Sequence, residues 1–86
     1  MSEDIFDEAQ LREIITNQLA DNNPAHVTAT LLRLTMKGMD KEEAIDYLSC
    51  ALAAELMAME ADQGPFNLTR YQSYLDSLPQ MPWAEE

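Results

Sequence analysis

The chain is 86 residues long and carries 16 acidic against five basic side chains, a formal net charge of -11. That balance would repel a phosphate backbone or an anionic membrane surface, so direct nucleic-acid binding and membrane association are not expected. Hydrophobic residues make up 47% of the chain, too many for disorder, and two glycines are too few for a turn-rich β architecture, which points to an all-α fold.

The first helix is expected over residues 4–20, capped by Ser2 or Asp4, with Asp7 and Glu8 in an opening turn where acids complement the helix dipole. Leu11, Ile14, Ile15 and Leu19 mark its buried face. Ile5 and Phe6 fall partly off that stripe and either wrap over the bundle end or extend an exposed patch. Asp21-Asn22-Asn23-Pro24 reads as a stop and restart, with Asn23 as cap and Pro24 at the first helical position, where its missing N–H costs nothing. The second helix then spans 24–37, with Val27, Leu31 and Leu34 on one stripe and Leu32 beside it, and Lys37-Gly38 supplies its C-cap. So short a connection makes the first two helices antiparallel neighbours.

The third helix, over 41–62, is expected to be central. Asp40 is its N-cap with Glu43 closing a capping box, and Met39 and Ala44 are placed for a hydrophobic staple. Ile45, Leu48, Leu52, Leu56 and Met59 fall on one narrow stripe at the spacing of a core-facing helix. The other side, Tyr47, Cys50, Ala54, Met57, Ala58 and Ala61, is apolar too. Only two thin strips are polar: Glu42, Asp46, Ser49 and Glu60 on one flank, Glu55 and Asp62 on the other. A helix apolar on two sides is sandwiched. Its second face packs either inside the chain or on another subunit, where Ala54 and Ala58 allow close approach.

Gln63-Gly64-Pro65 ends the central helix, and Asn67 or Thr69 caps a fourth over 68–78, whose face is Leu68, Tyr71, Leu75 and Leu78 with Tyr74 beside it. Pro79 and Pro82 prevent further helix. Residues 79–86 are read as an irregular tail in which Trp83 is pinned to the bundle or left as a sticky end.

Residues that could carry chemistry are few. His26 has no carboxylate one turn away, and a partly exposed surface histidine is its simplest reading. Glu42 and Asp46 share a flank, with Cys50 a turn beyond. Carboxylates at that spacing can hold a hard cation, yet the Glu-x-x-His pairs of di-metal bundles are absent and a solvated face accounts for them. Glu55 borders the core stripe and is expected to pair with Arg33 or Arg12, or to reach water. The single Cys50 cannot form an intrachain disulfide and fits a reduced cytoplasmic protein. Met1 to Glu8 is acidic where a signal peptide would be basic, and no apolar run approaches the roughly 20 residues that span a bilayer. No phosphate loop, zinc spacing or nucleophile setting is present, so catalysis is unsupported and no cofactor is implied. The six methionines suit core filling.

The residues Asn17-Gln18, Asn23-Pro24, Thr30, Arg33-Leu34, Gly38 and Glu43-Ala44-Ile45, followed by Tyr71, Leu75 and Leu78-Pro79, resemble a small bacterial all-helical domain family of unknown function. The resemblance spans most of the chain and implies a bacterial helical bundle. It also implies histidines at positions 42 and 46 that could bind metal. Here those positions are Glu42 and Asp46, a departure that puts an inherited metal site in doubt.

The sequence therefore predicts one small four-helix bundle acting as a non-enzymatic protein–protein interaction module, its partner another protein or itself as a homodimer. The expected contact residues are Tyr47, Cys50, Ala54, Met57, Ala58 and Trp83. The competing class is a metal-binding or catalytic bundle built on Glu42, Asp46, Cys50 and Glu55.

Overall fold

A computed structural model describes residues 7–81, which fold as four α-helices: α1 (Glu8–Asp21), α2 (Ala25–Met36), α3 (Lys41–Asp62) and α4 (Leu68–Ser77). No strand occurs among the described residues. The chain is an all-α four-helix bundle in which α3 packs against each of the other three helices.

Local chemistry sets the helix ends. The Asp7 side chain accepts from the Gln10 N–H at 2.9 Å, and Gln10 reaches back to the Asp7 N–H, so a complete capping box starts α1 at Glu8. Asp7, expected inside the opening turn, is therefore the cap itself. Ser2, Asp4, Ile5 and Phe6 lie outside the described residues. Asn22 closes α1 in the left-handed conformation (φ 53°), and the Asn23 N–H donates to the Gln18 carbonyl at 3.0 Å. Asn23 thus finishes α1 and does not cap α2, which has no side-chain cap: Pro24 takes the cap position in extended conformation and Ala25 is the first helical residue. The Asn23–Pro24 and Leu78–Pro79 peptide bonds are cis.

Gly38, at φ 101°, lets the Met39 N–H return to the Leu34 carbonyl at 3.2 Å and turns the chain into α3. Asp40 accepts from the Glu42 N–H at 3.2 Å, while no return bond from the Glu43 side chain forms among the described residues. Gln63 ends α3 in the left-handed region (φ 54°), within the Gln63-Gly64-Pro65 stretch expected to stop it. Asn67 caps α4 by accepting from the Arg70 N–H at 3.0 Å.

The core draws on every helix: Leu11 and Ile15 from α1, Val27 and Leu34 from α2, Ala44, Ile45, Leu48, Ala51 and Leu52 from α3, Tyr71 and Leu75 from α4, with Leu78 beneath them. Burying each large aliphatic among these is worth about 2 kcal/mol, which offsets the conformational entropy lost on folding. Peripheral helices bury only a narrow stripe, so Ile14 and Leu68, expected in the core, are 39% and 46% exposed. On α3 the buried arc is wider than anticipated and takes in Ser49 and Glu55, both assigned from the sequence to polar strips. The Ser49 hydroxyl is satisfied by the Ile45 carbonyl at 3.0 Å.

Polar links then tie the helices together. The Tyr71 hydroxyl donates to Gln18 Oε1 at 2.9 Å, joining α4 to α1, and burial pushes that phenol well above its ordinary range. Arg33 donates to the Leu75 and Leu78 carbonyls at 3.0 and 2.8 Å, so a cation from α2 caps the C-terminal end of α4. His26, read as a surface residue without a partner, meets Asp76 Oδ1 at 2.6 Å, a pairing that α2–α4 packing creates across 50 residues of sequence.

Candidate interaction surface

Of the six residues expected to form an interface, the five that lie within the described residues do not share one exposed surface. Ala54 is buried within the chain at 8% exposure and Tyr47 and Ala58 are half-buried, whereas Cys50 and Met57 face solvent. The bundle therefore absorbs one side of the supposed second face of α3. Trp83 lies outside the described residues. Cys50 borders a shallow groove of about 340 Å³ between α1 and α3, lined also by Glu8, Leu11, Asp46, Ser49 and Ala53. Partial burial, reinforced by the Asp46 and Glu8 carboxylates, pushes its thiol up and keeps it protonated near neutral pH.

The alternative cation set is dispersed as well. Arg12 forms ion pairs with both Glu42 and Asp46. Glu55 projects from roughly the opposite side of α3 from Asp46. It is fully buried and committed to Arg70, not to Arg33 or Arg12 as expected. Arg70 donates to both of its carboxylate oxygens, at 2.6 and 2.9 Å, the Asn67 N–H adds a third bond at 2.8 Å, and Arg70 also pairs with Asp62. Burial pushes the Glu55 carboxyl up, but these hydrogen bonds outweigh it and hold the group below its ordinary value. The arrangement is a clamp that fixes the 63–67 connection and the start of α4. Among the described residues, no three His, Cys, Asp or Glu side chains come together in a way that could hold a metal ion.

The surface that stands out is on α2, where the sequence reading named no interface residue. Its solvent-facing arc, about 120° wide, is made of Ala25, Thr28, Ala29, Leu32, Thr35 and Met36, none of them charged. Leu32 is 59% and Met36 76% exposed. The Thr35 hydroxyl turns back onto the Leu31 carbonyl at 3.0 Å, and Thr28 Oγ1 is buried with no hydrogen-bond partner among the described residues. Methyl groups therefore dominate what this face presents to water. Thr28, Leu31, Leu32 and Thr35 form with Lys41 a groove of about 320 Å³. Lys37 and Lys41, just beyond the C-terminal end of α2, have no carboxylate within ion-pair distance among the described residues.

A surface helix ordinarily sets charged residues opposite its buried stripe. Here α2 buries Val27, Thr30 and Leu34 and yet leaves the other side uncharged. The signal was present in the sequence as a 12-residue segment without Asp or Glu in a chain holding 16 of them. Reading Leu32 as an extension of the Val27-Leu31-Leu34 stripe concealed it. No helix among the described residues is long and apolar enough to cross a membrane. Comparison of the chain with protein-family models, with curated proteins and with solved structures returns no significant match.

Proposed function

We propose that this protein is a non-enzymatic protein–protein interaction module that binds through the solvent face of α2. The observation that carries the reading is the uncharged arc around Leu32 and Met36 on an otherwise strongly acidic molecule. Desolvating such a face takes no carboxylate out of water, whereas docking on any acid-bearing surface would. The net charge of -11 opposes nucleic acid as the partner, and a single cysteine suits a reducing, cytoplasmic setting. With Glu42 and Asp46 engaged by Arg12, and Glu55 buried against Arg70, a metal-binding or catalytic bundle is the weaker reading. The deciding comparison uses wild type and the double variant Leu32→Glu/Met36→Glu in cross-linking and affinity capture. Both side chains are exposed, so the variant keeps its helical circular dichroism and melting temperature while losing the bound protein. Equal binding by wild type and variant would overturn the assignment.

A further inference from the structure

We propose that the occupant of the α2 face is a second copy of this chain, docked antiparallel about a two-fold axis beside Leu32. The inference rests on the interaction reading above and adds to it the partner and its orientation.

Charge restricts where two copies can meet. Each carries a net -11, and α1, α3 and α4 all bear carboxylates: Glu13 and Asp21 on α1, Glu43 and Glu60 on the exposed side of α3, Asp76 on α4. Any of those faces laid on itself would bring like charges together. Of the four helices only α2 lacks an acid, so it alone can pair with its own copy without juxtaposing carboxylates.

Shape and residual charge choose the orientation. Small side chains (Ala25, Thr28, Ala29) occupy the first half of the face, and large ones (Leu32, Met36) the second. An antiparallel pair centred on Leu32 sets Met36 of each copy over Thr28 and Ala29 of the other and lets the two Leu32 side chains touch, so large groups fill the space that small ones leave. Parallel pairing would stack large on large and leave the small halves apart. The antiparallel pair also opposes the two helix dipoles and carries Lys37 and Lys41 of each copy towards the end of the other that bears the exposed Asp21. The contact is isologous, so the assembly closes at two. A single pair of 12-residue helices buries an interface at or below the low end of the usual range, about 1,200 Å², the size class of weak, transient contacts.

Sedimentation of the full chain across roughly micromolar to millimolar concentration tests this. The expected result is a monomer–dimer equilibrium that tightens with added salt, because screening relieves repulsion between two acidic bodies, and that Leu32→Glu weakens by about tenfold or more. In a Cys50→Ser background treated with a thiol oxidant, Leu32→Cys forms a disulfide-linked dimer and Ala25→Cys does not, since antiparallel copies hold their two residues 25 apart. A chain that stays monomeric throughout, a dimer indifferent to Leu32→Glu, or equal cross-linking at both positions would overturn the proposal. A monomer that nevertheless captures a different protein through Leu32 leaves the interaction module standing with another occupant. A monomer with no Leu32-dependent partner removes both readings.

Discussion

Glu55 shows what a single residue must satisfy once it is taken out of water. An ionised carboxylate inside the bundle would be prohibitive unless its lone pairs were used, and Arg70 with the Asn67 N–H uses them. Glu55→Gln leaves Arg70 without its buried counter-charge, and the expected loss is about 3 kcal/mol of folding stability, read from urea unfolding at pH 7. The pH dependence has a definite sign. Because the folded carboxyl is held below its ordinary value near 4.5, the unfolded chain takes up the proton first, so the stabilisation is complete above that value and fades as pH falls towards the folded one. The stability difference between wild type and Glu55→Gln should therefore shrink from pH 7 to pH 3.5. A constant difference over that range would remove the carboxylate from the account.

At the scale of elements, the helix ends follow from short-range chemistry and the helix faces from their neighbours. Asp40 and Asn67 cap α3 and α4 because their side chains reach backbone N–H groups two and three residues on, a requirement visible in the sequence. Ala54 illustrates the other case. Its spacing with Ala58 fits an intersubunit seam and an interior position equally well, and only the packing of neighbouring helices puts it inside at 8% exposure. Ala54→Glu is accordingly expected to destabilise the fold by at least about 2 kcal/mol, through overpacking and a buried unpaired charge, measured by thermal or urea unfolding. A fully stable, folded monomer from this substitution would instead return α3 to the interface.

For the whole molecule, the dominant electrostatic fact is an excess of negative charge. Arg12 and Arg70 are each shared between two carboxylates, so one negative charge of each cluster stays uncompensated, and Arg33 is spent on backbone carbonyls, while Glu13, Asp21, Glu43 and Glu60 have no cation within ion-pair distance among the described residues. Their mutual repulsion is exposed and long-range, so it is screened by salt far more than the buried Glu55–Arg70 pair. Raising sodium chloride from about 10 to 200 mM should raise the melting temperature at pH 7. A fall would mean that exposed ion pairs, not repulsion, dominate the balance. The same excess makes the acid-free α2 the natural place for association.

The sequence by itself determined the all-α class and the chemistry of the helix ends at Asp40 and Gly38, and narrowed the cap of α4 to Asn67 or Thr69, because capping and helix periodicity act over a few residues. What it could not decide is which of two apolar sides of a helix meets the core. Glu55 joins Arg70, His26 meets Asp76, and Arg33 caps α4 through contacts between residues 15 to 50 apart in the chain, so no local pattern encodes them. The candidate surface belongs to the same class of decision. Leu32 and Met36 look like core residues by composition, and only the arrangement of α3 and α4 against the Val27 and Leu34 side of α2 leaves them facing water.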